Sequence, residues 1–167
     1  MRRVLFFIFL ITAGVQAQDI PIGSWRTHFS YNDIRLIEQG VNRVYAAASS
    51  GLFIYSLDDN SVTPVTKLNG LQEEDISAIH FNSQTESLFI GYESGNLDVL
   101  RGTEIINIDL ITDSQLTGSQ AINGFLSDGQ SIFLFTDFGL LKMNPESFTV
   151  IETVREIGQG NNSLEVY

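Results

Sequence analysis

Two histidines, His28 and His80, and no cysteine occur in the 167 residues, so the side chains that most often bind transition metals or act as nucleophiles are almost absent. Neither histidine lies in an H-E-x-x-H frame, and both read as turn or strand-end residues; no metal or cofactor is expected. Ser49 and Ser50 precede Gly51 in "SSGLFIYSL", but no G-x-S-x-G frame surrounds them, and turn chemistry suffices to explain them. "GQGNN" at 158–162 is not followed by the helix and lysine of a phosphate-cradling loop. "LDDN" at 57–60 lacks the alternating ligands and glycine of a calcium loop. What remains is Glu73, Glu74 and Asp75, three consecutive carboxylates. They are a candidate contact for a partner or a cation, set against the plainer reading of a solvated charge run.

The elements that place these residues come from an internal repeat. Gly51 in "VYAAASSGLFIYSL", Gly95 in "LFIGYESGNLDVLR" and Gly139 in "IFLFTDFGLLKMNP" are spaced by 44 residues. An aliphatic and an aromatic residue stand seven and six positions before each glycine, as Val44 and Tyr45, Leu88 and Phe89, Ile132 and Phe133. Each block is expected to be a β-hairpin whose three-residue loop ends on a left-handed glycine. The flanking strands are apolar at consecutive positions, as in "IFLF", which implies sheets covered on both faces.

Two more strands complete each unit. Ile34-x-x-Ile37, Ile76-x-x-Ile79 and Ile122-x-x-Phe125 precede the hairpins, and "SVTPVTKL" (61–68), "TEIINIDL" (103–110) and "SFTVIETV" (147–154) follow them. Four short antiparallel strands per ~40–45 residues is the period of a β-propeller blade. The expected fold is therefore all-β, a partial propeller of about three four-stranded blades (34–75, 76–120 and 121–163). The first strand of a fourth begins at 164 in "LEVY". Three blades and one strand do not close a ring, so the chain reads as the N-terminal part of a longer protein. In a propeller the inter-blade links and mid-blade hairpin tips share one face, which puts Glu73–Asp75 where partners dock. Residues 18–33 read as an N-terminal closure segment, with Trp25, the sole tryptophan, in a structural role.

Residues 1–17 read as a secretory signal peptide, with Arg2 and Arg3, an apolar run from Val4 to Ile11, and small residues at Val15 and Ala17. The apolar run is too short for a membrane-spanning helix, and the absence of cysteine excludes a lipid anchor at the cut. Removing these residues leaves 150, with seven basic and 20 acidic side chains, a net charge of −13. That excess argues against nucleic acid, whose affinity comes largely from Lys and Arg.

"PIGSWRTHFSYND", "KLNGLQEEDISAIHF", "GYESGNLDVL" and "TEIINIDLI" resemble the N-terminal β-propeller of the PorZ family of the type IX secretion system. The "GL.IY" block alone also resembles the two-component-regulator propeller repeat of hybrid histidine kinases. The PorZ resemblance implies a non-enzymatic protein of the Gram-negative cell surface or periplasm. It implies a PorU-like sortase as partner, and anionic lipopolysaccharide bound through parts of the full-length protein absent here. An acidic surface gains nothing electrostatically from an anionic lipopolysaccharide. The alternative is the periplasmic sensory propeller of a hybrid two-component histidine kinase. A propeller lyase or glycosidase is disfavoured, because no paired carboxylates or His and Arg cluster recur on one face.

Overall fold

The computed structural model describes residues 33–109 and 119–155, and among these there is no helix. The signal peptide, the segment holding Trp25 and His28, "GQGNN" and "LEVY" lie outside the described residues. Twelve strands form three antiparallel sheets of four, each strand paired with the next in sequence. Blade 1 holds β1 (Ile34–Gly40), β2 (Arg43–Ala48), β3 (Gly51–Ser56) and β4 (Val62–Val65). Blade 2 holds β5 (Ile76–Asn82), β6 (Ser87–Tyr92), β7 (Leu97–Arg101) and β8 (Glu104–Ile108). Blade 3 holds β9 (Ile122–Ser127), β10 (Ile132–Thr136), β11 (Gly139–Met143) and β12 (Val150–Arg155).

In blade 2 the consecutive apolar residues have the cause the sequence implies, whereas Phe135 of "IFLF" in blade 3 is exposed. In β6 every residue is buried, because side chains alternate between two neighbouring sheets. Leu88, Ile90 and Tyr92 enter the core shared with Tyr45, Ala47 and Leu52 of blade 1. Phe89 enters the core shared with Ile122, Ile132, Leu134 and Met143 of blade 3. At Gly91 blades 2 and 3 approach closely, since a Cβ there would lie 2.6 Å from Cγ2 of Ile122. Blade 2 is thus covered on both faces, and roughly 1.5–3 kcal/mol per fully buried aliphatic or aromatic side chain accrues on each.

The outer strands are shorter than the sequence suggests. β4 ends at Val65 because the Asn69 side chain accepts the Thr66 N–H and the chain turns, with the Leu71 N–H donating to the Thr66 carbonyl. β12 starts at Val150 because Asn144 Oδ1 accepts the N–H groups of Glu146 and Ser147 at 2.8 and 3.0 Å. Such side-chain to backbone bonds compete with strand pairing.

Candidate functional site

Each inner strand begins with a register shift, between Ile34 and Leu36, between Ile76 and Ala78, and opposite Phe135 and Thr136 in blade 3. The unpaired residues are Arg35, Ser77 and Asn123. A bulge re-aims the side chain it carries. Arg35 pairs with Asp33 at 3.0 Å, Ser77 Oγ donates to the Ile122 carbonyl at 2.6 Å, and Asn123 Nδ2 donates to Asp137 Oδ1 at 2.6 Å. These bonds tie the inter-blade links to hairpin tips and to the next blade. Hydrogen bonds from Ser119 and Asn123 hold the Asp137 carboxyl below its ordinary value. Ser49 and then Arg35 do the same for Asp33.

The three repeated glycines occupy two different backbone settings. Gly95 (φ +89°) donates its N–H to the Tyr92 carbonyl at 3.1 Å and follows the turn Glu93-Ser94, as a three-residue loop requires. Gly51 and Gly139 instead pair with Ala48 and Thr136 as the first residues of β3 and β11, so their loops have two residues. Their φ angles are +146° and +145°. A Cβ on Gly51 would lie 2.6 Å from the Val65 carbonyl oxygen, and one on Gly139 would overlap that of Val154. The outer strand crosses these glycines too closely for any side chain.

Of the carboxylate run, the structure brings Glu73 into a cavity and leaves Glu74 and Asp75 exposed. The cavity, of about 290 Å³, is lined by Glu73, by Ser94 to Asn96 at the blade 2 hairpin tip, and by Asn107, Asp109 and Gln120 toward the next link. Asp75 takes a left-handed φ of +57° and donates its N–H to the Ser49 carbonyl at 3.4 Å. Among the described residues none of Glu73, Glu74, Asp75 and Asp109 forms an ion pair, and no group of three or more His, Asp or Glu is arranged to hold a metal.

One residue fixes this loop from below. Asp98, fully buried on β7, accepts hydrogen bonds from Tyr92 Oη (2.6 Å), the Gln72 N–H (2.9 Å) and Asn107 Nδ2 (2.8 Å). Burial, reinforced by Asp98, raises the Tyr92 hydroxyl well above its ordinary value, so Tyr92 stays a neutral donor. Sequence reasoning passed over Asp98. Its signal was an acidic residue inside the apolar run "NLDVL", which needs partners to be buried. His80 lies on β5 with Nδ1 3.3 Å from Glu38 Oε1 and its ring stacked on Phe125, and its Nε2 is buried without a hydrogen-bond partner among the described residues.

The sequence model of the N-terminal β-propeller domain of PorZ, of the type IX secretion system, matches residues 44–166, most of the chain. The chain belongs to the PorZ N-terminal β-propeller family. Among solved structures it is similar to PorZ of Porphyromonas gingivalis, described as an essential bacterial surface component of the type IX secretion system. The TM-score is 0.69 at 23% identity, over 77% of this chain and 18% of that one. The extracellular domain of a putative one-component system of B. thetaiotaomicron matches with a TM-score of 0.63 at 19% identity, over 79% of this chain and 18% of that one. That of a putative hybrid two-component system of the same organism gives 0.61 at 22%, over 74% and 17%. These likenesses define the fold, and the chain spans less than a fifth of each protein's length. No curated protein sequence matches the chain.

Proposed function

We propose that this chain is the first part of an exported, non-enzymatic surface component of the type IX secretion system, and that its loop face docks a PorU-like sortase. The family match over residues 44–166 carries this reading. The hairpin tips and links supply the docking surface, with Glu73, Glu74 and Asp75 at its edge and Asp98 holding the backbone in place. In this reading anionic lipopolysaccharide binds to parts of the full-length protein absent here, since this acidic segment repels polyanions. Residues 1–17 act as the export signal, and amino-terminal sequencing of the mature protein should begin at Gln18.

The test is biolayer interferometry of the full-length protein against the purified sortase. E73K/E74K should weaken binding at least tenfold while leaving thermal stability unchanged. Unaltered binding would remove the loop from the interface, and no binding by wild type would remove the sortase. A sensory role in a two-component system is the second reading, supported by the likeness to extracellular sensor domains. Downstream coding sequence separates the two: a second propeller and sorting domain for the first, a transmembrane helix and kinase for the second.

A further inference from the structure

Away from the loop face, the outer strands of blades 1 and 2 leave a groove of about 410 Å³, within the ~300–1,000 Å³ range of ligand pockets. Ile54, Val65, Leu100 and Ile105 give it an apolar floor, and Arg43, Asp58, Ser61 and Thr63 stand among its polar lining. A second hollow of about 300 Å³ shares Arg43 and Gly102 with it and is also lined by Glu86 and Arg101.

Arg43 is the unexplained group. It is half-buried, yet among the described residues its guanidinium makes no hydrogen bond, ion pair or ring contact. The other half-buried cations are engaged. Arg101 donates to Ser87 Oγ at 3.0 Å, lies 3.8 Å from Glu146 and stacks over Phe148, and Lys142 lies over Phe133. Lys67 and Arg155 are exposed. A guanidinium that gives up part of its hydration without a partner is arranged to receive one, and its planar fork matches a carboxylate.

The surroundings narrow the ligand. Asp58 and Glu86 among the lining residues tolerate one negative charge on Arg43 and oppose a multiply charged phosphate or polyanionic glycan. The aliphatic floor suits a hydrocarbon side chain rather than a sugar. Thr103 and Ile105 bring the groove to β8, the edge strand of blade 2, whose outer side pairs with no strand among the described residues. The facing edge of blade 1 is blocked by Pro64 in β4, which has no N–H. We propose that this groove binds an extended peptide added along β8, with an aliphatic side chain seated on Leu100 and Ile105 and a carboxylate two residues away held by Arg43. In an extended chain side chains two apart point the same way, so one residue lies between the two anchors. This inference is independent of the sortase reading, which concerns the loop face.

The test is fluorescence polarisation of the full chain with a fluorescein-labelled Gly-Ser-Leu-Thr-Glu-Ser amide. Replacing the probe's Glu by Gln, or its Leu by Ala, should each weaken binding at least fivefold, and N-methylation of the Thr amide should abolish it. The Arg43→Gln protein should bind the Glu and Gln probes equally, whereas Arg43→Lys should keep part of the preference. Because the probe substitutions use wild-type protein, a folding defect in a variant cannot account for the result. No saturable binding at millimolar concentrations, or equal affinity for the Glu and Gln probes on wild type, would overturn the proposal. So would Arg43-dependent binding of tetragalacturonate in place of the peptide.

Discussion

Replacing Asp98 by alanine would leave three donors facing a hole in the second blade. Tyr92 Oη is buried and loses its 2.6 Å acceptor, which costs about 2 kcal/mol. The Gln72 N–H belongs to a solvent-exposed residue, so water replaces part of its bond and the loss is about 1 kcal/mol. Asn107 keeps Asn96 Oδ1 at 3.0 Å and adds less than about 1 kcal/mol. The expected total is about 3–4 kcal/mol, or a fall in Tm of about 6–16 °C for a chain of this size. Urea denaturation of the full chain followed by far-ultraviolet circular dichroism measures the free energy. Asp98→Asn, which keeps one acceptor, should cost about half as much. Hydrogen exchange adds a local readout, because the Gln72 amide should exchange at least tenfold faster in Asp98→Ala while amides of β2 and β3 shift only with global stability. A loss below about 1 kcal/mol, or unchanged protection at Gln72, would refute the view that Asp98 fixes the acidic loop.

Two further outcomes follow from local geometry. Because folding raises the Tyr92 pKa, its contribution is whole below the unfolded value of about 10 and is lost as pH rises beyond it; Tyr92→Phe should therefore flatten the alkaline decline in stability above about pH 10, measured by urea midpoints. Gly139→Ala combines a φ of +145° with overlap on the Val154 carbonyl and should cost about 3 kcal/mol or more, whereas Gly102→Ala, at φ +64° with open space around it, should cost about 1–2 kcal/mol; equal losses would contradict the crowding assigned to Gly139.

The repeat was legible because its cause is local and recurrent. A four-stranded blade needs a turn at the same place each time, and Gly51, Gly95 and Gly139 mark it. The conformation at those turns was not legible. Gly51 and Gly139 are set by how closely Val65 and Val154 of the outer strand pass, a distance with no trace in "SSG" or "DFG". The acidic run was visible as composition, but sequence could not separate Glu73, drawn into a cavity, from its exposed neighbours. That division depends on Asp98, 26 residues from Gln72 in sequence. Arg43 carried no signal at all, since whether a guanidinium finds a partner is decided by what surrounds it.

The hydrogen bonds between blades have a common stride. Phe81 to Glu38, Ser77 to Ile122, Asn82 to Ser127 and Arg101 to Pro145 join residues 43, 45, 45 and 44 apart, one repeat in each case. Every such bond links a blade to the one just completed before it. A chain built this way can be assembled in order of synthesis, each finished blade serving as the template for the next, since among the described residues every strand pairs within its own blade. Its middle blade should then be the last to yield to a protease, because cutting it requires both neighbours to let go.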